Sequence, residues 1–363
     1  MQITRTFTEA VDTVTLSAGG IQRHLISARC VGEDPLSVFA RPLPDGAVPV
    51  AECAFGGCRF YGPARALLQN TWPLTWVQGD RCSGQHMGGT QLLAVSGTSV
   101  TPVVLDGEIV GSRYEDADAT YCHIGGILPT DLTLSRPQQA RQVFERLEAA
   151  LQTAGMEFRH VVRTWLYLDQ LLDWYGEFNQ VRTSFYQERG LFDHMIPAST
   201  GIGAGNPAGA ALVAACVGVV PKHEGVHIFP VASPLQCPAT NYRSSFSRAV
   251  ELDFPDRRYL MVSGTASIGP DGRSVHQGDI DGQIALTMRV VEAILQSRGF
   301  AWEDVTRMVV YYEDIRQAPR FEAYCRARNL PPLPLVPAHA VVCRPDLLFE
   351  VELDAARSNP VPN

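Results

Sequence analysis

The order of elements readable in residues 121–221 returns in residues 259–355, so the fold has to be built from two like halves. In the first copy "YCHIGGILP" leads to the helical run "SRPQQARQVFERLEAALQTAG". There follow "HVVRTWLYLD", a second helical run "WYGEFNQVRTSFYQERG", then "IPASTGIGA" and the apolar "AALVAACVGVVP". In the second copy "YLMVSGTASI", "GDIDGQIALTMRVVEAILQSRG", "DVTRMVVYYED", "APRFEAYCRARN", "VPAHAVVCRP" and "LLFEVELDA" take the same places. Gly125 stands against Gly264, Arg163 against Arg307, and Pro197-Ala198 against Pro337-Ala338. Solenoid repeats are only about 20–50 residues long, so a spacing of roughly 140 is a domain duplication.

Each first helix is amphipathic, through Val143, Leu147, Ala150 and Leu151 in one copy and Leu286, Val290, Ala293 and Ile294 in the other, with a glycine closing each. A hairpin, "QLLAVSGTSVTPVVLDGEIV" or "SSFSRAVELDFPDRRYLMV", precedes each copy. The expected fold class is α+β: two mixed sheets with helices on one face. The bare sheet face needs a partner, which the other copy supplies. The expected units are an N-terminal segment over 1–88, a first repeat over 89–222 and a second over 223–363. The N-terminal segment, rich in Pro and Gly, reads as irregular with some strands.

A net charge of −8 without a Lys/Arg block argues against nucleic acid or an anionic membrane as partner. No apolar run approaches the roughly 18 residues of a membrane span, and "QITRTFTEAV" is no secretory leader, so the expected compartment is the cytoplasm. The nine cysteines, 30, 53, 58, 82, 122, 216, 237, 325 and 343, are scattered without a CxxC, so a reduced set and no metal site are expected. His123 and His276 are isolated and read as ordinary hydrogen-bonded histidines.

The element order, "VSGTASI", "DVTR" before a strand and the "CRP…EVE" ending resemble the reactive-intermediate deaminase family, also called YjgF or UK114, whose trimers hold small molecules in clefts between subunits. A tighter resemblance is to the chorismatase family, in which tandem domains of that type imitate the trimer within one chain. It is carried by "WPLTWVQGD", "VVRTWLYLD", "FNQVRTSFYQERG", "PASTGIGA", "SPLQCPATNYRSSFSRAV" and "VCRPDLLFEVELDA", in this order. The resemblance implies a pseudo-trimeric monomer that splits chorismate into pyruvate and a ring acid without metal or organic cofactor. An imine or enamine deaminase and a non-enzymatic binding protein are the rival readings.

In the last strand Leu347, Phe349, Val351 and Leu353 alternate with Glu350, Glu352 and Asp354, which puts the acids on one face. Arg344 lies six residues before Glu350 across a tight turn, and the corresponding strand "ALVAACVGVV" of the first copy has no acid. That asymmetry singles out Glu350 as a proton donor and Arg344 as a carboxylate clamp, with Glu352 and Asp354 left as solvated acids. Arg163 is either structurally paired or aimed into a cleft, and is counted with Arg344 among the expected substrate-binding residues. Arg182 and Tyr242, placed in the matching motifs, are expected to contact substrate. Gly264 is a packing glycine or one that leaves room for the ring. By the same resemblance, Gly at 264 and Cys at 343 mark members that form 3-hydroxybenzoate. Alanine at both marks hydrolysis to a dihydroxycyclohexadiene acid. Cys343 is accordingly assigned to the catalytic group, and the expected products are pyruvate and 3-hydroxybenzoate, with 4-hydroxybenzoate as a minor alternative.

Overall fold

A computed structural model describes residues 1–79 and 87–359. It contains three six-stranded sheets of one topology, not two. The middle sheet holds β7 (Thr101–Leu105), β8 (Glu108–Glu115), β9 (Ala119–Ile127), β10 (Val161–Leu168), β11 (Ala198–Gly203) and β12 (Leu212–Pro221), in spatial order β11-β10-β12-β9-β8-β7. The last sheet repeats this as β17-β16-β18-β15-β14-β13, with β13 (His227–Val231), β14 (Ala249–Asp253), β15 (Arg257–Ala266), β16 (Val305–Tyr312), β17 (Leu335–His339) and β18 (Phe349–Ser358). The N-terminal segment, expected to be irregular, forms the third sheet. Its strands are β1 (Gln2–Phe7), β2 (Val11–Ala18), β3 (Ile21–Arg29), β4 (Val48–Gly56), β5 (Leu74–Val77) and β6 (Met87–Ser96). Their order, β1-β2-β3-β6-β4-β5, is the same as in the other two.

The boundary at 88/89 is therefore corrected. β6 pairs with β3 and β4 of the N-terminal sheet, and the hairpin that opens the first repeat is β7–β8. The reason is visible in the chain. Where the other repeats carry a long helix between their third and fourth strands, residues 30–47 hold only a short 3-10 turn, Pro35–Phe39, among prolines and glycines. Without the 3.6-residue period, nothing in that stretch announces a repeat.

α2 (Arg136–Thr153) and α3 (Leu171–Glu188) pack on the middle sheet, and α4 (Ile280–Ser297) and α5 (Ala318–Ala327) on the last; α1 (Tyr61–Leu68) is the remaining helix. At the start of α2 the Gln138 side chain accepts from the backbone N–H and the hydroxyl of Ser135, at 3.1 and 2.8 Å, and Gly155 and Gly299 follow α2 and α4 at φ of 74° and 73°, where a side chain would be strained. α2 buries Val143, Leu147, Ala150 and Leu151 as the periodicity predicts. On α4 the buried face is turned: Ile284, Met288, Val291 and Leu295 join Val290 and Ile294 in the core, while Leu286 and Ala293 sit at its rim. None of the described helices is long and apolar enough to cross a membrane.

The bare sheet faces meet around a common core in which Phe55, Tyr167 and Tyr311, one from each sheet, converge. Phe55 lies edge-on to both tyrosines, at 6.3 and 6.1 Å between ring centres. Backbone bonds stitch the three sheets near this core: Gln78 N to Gly205 O at 2.9 Å, His339 N to Gly79 O at 2.7 Å, and a reciprocal pair between Gly203 and Val341 at 2.7 and 2.8 Å. A second junction is ionic. Asp116 of the middle sheet, side chain fully enclosed, accepts from Arg23 of the N-terminal sheet and Arg257 of the last, both at 2.6 Å. One chain thus satisfies by itself the face-to-face burial that a lone sheet of this type would need partners to achieve.

Strand register refines the repeat. Tyr167 pairs with Val213 and Tyr311 with Glu350, so Val213 is the counterpart of Glu350. Arg163 and Arg307 remain equivalent, but Pro337 falls opposite Gly201 and Gly264 opposite Gly126, because the connections between strands differ in length while the bulges match.

Candidate active site

Where the middle and last sheets meet, a cavity of about 750 Å³ opens. Its wall on one side comes from α3 (Tyr175, Asn179, Arg182) and β11 (Ser199, Gly201). The other wall comes from β15 (Gly264, Ala266), the turn at Cys343 and Arg344, and Glu350 on β18; residues 240–246 and Arg248 lie across it. Of the residues singled out in the sequence, Glu350, Cys343, Arg344, Arg182, Tyr242 and Gly264 are brought together here. Arg163 is not.

Glu350 is 4% exposed and accepts no hydrogen bond among the described residues, although its neighbours on either side are core residues Phe349 and Val351. Burial, and after it the charge of Glu352, raises its carboxyl to about 8, against the opposing pull of Arg163 and Arg248. The carboxyl rests against Gly264. A methyl group there would overlap Oε1 of Glu350 and stand 3.1 Å from its Cδ and 3.2 Å from Thr200 Cγ2, so only glycine leaves this space. Burial, then the adjacent Glu350, pushes the Cys343 thiol up to about 12, so it is a neutral group. Tyr242 and Tyr175 are likewise shifted upward by burial and stay protonated donors.

Four arginines line the cavity, Arg182, Arg243, Arg248 and Arg344, and none is within 4.0 Å of a carboxylate among the described residues; Arg243 is the exposed one. Arg182, 1% exposed, donates through Nη2 to Asn179 Oδ1 at 2.5 Å, and its buried Nε has no partner. Arg248, missed in the sequence, donates through Nε and Nη2 to the carbonyl of Cys237 at 3.1 and 2.7 Å and lies over the rings of Tyr242 and Phe246. Arg344 donates to Ser274 Oγ at 3.3 Å and stacks 5.2 Å from the Tyr242 ring. Buried arginine without an anion is costly, which marks the cavity as built for a ligand that brings the negative charge. Arg248 lies in the segment "SPLQCPATNYRSSFSRAV" that carries the resemblance, six residues after Tyr242, and that membership is the signal that could have found it.

Two expectations are corrected. Arg163 does not line the cavity: it is fully buried, with Nη2 bonded to Glu352 at 2.6 Å and Nη1 to the carbonyl of Val262 at 2.9 Å. Glu352, expected to be solvated, is 1% exposed and also paired with Arg307 at 2.9 Å. Asp354 is half-buried against the same Arg307 at 2.6 Å. Alternation places these acids on one face, but the face abuts another sheet of the same chain rather than water. Among the described residues no group of three or more His, Cys, Asp or Glu could hold a metal ion. No disulfide joins one described cysteine to another, and Cys82 lies outside the described residues.

Comparison with known proteins agrees with this architecture. A chorismatase from Streptomyces hygroscopicus is 27% identical over 222 residues, covering 55% of this chain and 62% of that protein, so the match spans less than two thirds of the relative. A 3-hydroxybenzoate synthase from the same organism is 26% identical over 277 residues, covering 68% of this chain and 76% of that protein. A chorismatase crystal structure superposes with a TM-score of 0.66 at 18% identity, over 94% of this chain and 99% of that one, which shows a shared fold. The model of the endoribonuclease L-PSP family matches residues 120–213 and 238–357, more than half of the sequence, in the repeats of the middle and last sheets, and the chain belongs to that family.

Proposed function

We propose that the chain cleaves chorismate into pyruvate and a ring acid, chiefly 3-hydroxybenzoate. The observation that carries this reading is a protonated carboxyl, Glu350, in a cavity lined by four arginines that lack an anion among the described residues. Chorismate supplies two carboxylates for those arginines and an enol ether for the acid. The similarity to a chorismatase and a 3-hydroxybenzoate synthase supports the same reading.

Glu350 gives its proton to the methylene carbon of the enolpyruvyl group, and the ether carbon becomes an oxocarbenium ion. Water at that carbon lets the ether collapse to pyruvate and leaves the ring diol. Pyruvate and 3-hydroxybenzoate together contain the atoms of chorismate, so the water taken up is returned when the ring sheds its second hydroxyl. Glu350, now a carboxylate, is placed to take the ring proton lost on aromatisation and so regain its starting state. Arg182, Arg248 and Arg344 hold the two carboxylates, and the neutral Cys343 thiol and Tyr242 hydroxyl face the ring.

Incubation of the purified chain with chorismate is expected to abolish the chorismate absorbance and release one pyruvate per chorismate consumed. Unchanged absorbance over hours overturns the reading. Arg344→Ala removes one charge-assisted contact, typically about 1.5–3 kcal/mol, so KM should rise at least about tenfold with a smaller change in kcat. Steady-state kinetics check this, and a defect confined to kcat would assign Arg344 a different role. Because three sheets of one chain complete the assembly, the protein is expected to run as a monomer of 39.7 kDa in light scattering, and a stable trimer contradicts this.

A further inference from the structure

Two residues beyond Glu350, on the same side of β18, Glu352 is held among groups that the proton transfer does not touch. Its carboxylate accepts from Arg163 Nη2 at 2.6 Å, Arg307 Nη2 at 2.9 Å, Trp165 Nε1 at 2.8 Å and the hydroxyl of Thr200. The Thr200 hydroxyl has one proton, which goes to Glu352. Its lone pairs are thereby turned toward the other partners, Arg163 Nη2 at 2.8 Å and the backbone N–H of Gly264 at 3.1 Å. Gly264 sits where β15 breaks register, between Val262 and Thr265, and it is the surface against which the Glu350 carboxyl rests. Donors from β10, β11 and β16 thus converge on one buried acid whose other contact leads straight to the reacting group. The counterpart of Glu352 in the middle sheet is Ala215, so that sheet builds no such hub.

We propose, on the chorismate-cleaving reading above, that Glu352 is a positioning residue for Glu350: through Thr200 it fixes the Gly264 backbone under the reacting carboxyl, and it confronts that carboxyl with a like charge. The charges around Glu350 come from several elements, the exposed Arg243 of the segment across the cavity among them. Glu352 lies along its own strand, Arg163 on β10, Arg182 and Tyr175 on α3, Tyr242 and Arg248 over the cavity, and Cys343 and Arg344 in the turn. Glu352 itself stays ionised. Burial works to raise it, but Arg307 and Arg163, with bonds from Thr200 and Trp165, hold it below the usual carboxylate range. Neutralising it would leave Arg307 with Asp354 and Arg163 without a paired acid among the described residues, and Glu350 would release its proton at lower pH.

The test is an infrared titration of the full chain, following the protonated-carboxyl band that disappears in Glu350→Gln. In Glu352→Gln the midpoint of that band is expected to fall by about one pH unit or more, the scale of a like charge removed nearby. An unchanged midpoint overturns the proposal. In a second pair, Thr200→Val should displace the band frequency and lower kcat about tenfold with little change in KM, while Thr200→Ser restores both. Equal behaviour of the two variants overturns the relay, and this pair decides the matter if Glu352→Gln does not fold. The infrared readout requires no turnover, so a chain that leaves chorismate intact would sink the reaction assignment while the titration still decides the role of Glu352.

Discussion

Glu350→Gln is expected to lower kcat on chorismate by at least about a hundredfold, the usual scale for removal of a general acid, while KM stays within about threefold. The amide keeps the shape of the side chain in its slot against Gly264 but has no proton of comparable acidity to give. The wild-type pH profile should carry the same signature. The donor is the protonated form and its carboxyl is raised to about 8, so kcat is expected to be level below that value and to fall as pH rises through it. Glu350→Gln should lose this alkaline limb together with the rate. Full activity in the variant, or a limb that persists in its residual activity, would mean that another group supplies the proton.

The double variant Gly264→Ala, Cys343→Ala is expected to change the product. The added methyl at 264 takes the space now filled by Oε1 of Glu350, so the carboxyl has to move. A displacement of this kind is worth orders of magnitude in a proton transfer. Removal of the Cys343 thiol at the same time opens space in the same wall of the cavity and withdraws a neutral group that can touch the ring hydroxyl. With the ring reseated and Glu350 displaced from the ring proton, the diol should leave before it aromatises. Chromatography should therefore show a shift from 3-hydroxybenzoate toward the non-aromatic dihydroxy acid, with pyruvate still formed. Chiefly non-aromatic acid from the wild type would contradict the product assignment but not the cleavage.

Most of the site was legible because it departs from its own repeat. Glu350 and Arg344 stand where the first copy has no charge, and Tyr242, Gly264, Arg182 and Cys343 lie in segments that carry the family resemblance. The cavity gathers all six. Arg248 was missed because a guanidinium in a strand-opening run looks like any other until its lack of an anion is seen.

By itself the sequence determined the strand and helix order of two repeats, through periodicities of two and 3.6 residues that belong to local segments. It also determined which copy carries the acid. Only the tertiary structure decided that the N-terminal residues are a third sheet, since that repeat lacks the long helix whose period would have revealed it. Only the tertiary structure separated Glu350, Glu352 and Asp354, which alternation makes alike. Their difference lies in what the folded chain places against each: a cavity for Glu350, Arg163 of the middle sheet and Arg307 of the adjacent strand for Glu352, and Arg307 alone for Asp354. Burial and charge pairing between segments some 190 residues apart leave no trace in local pattern, and they set which carboxyl keeps its proton.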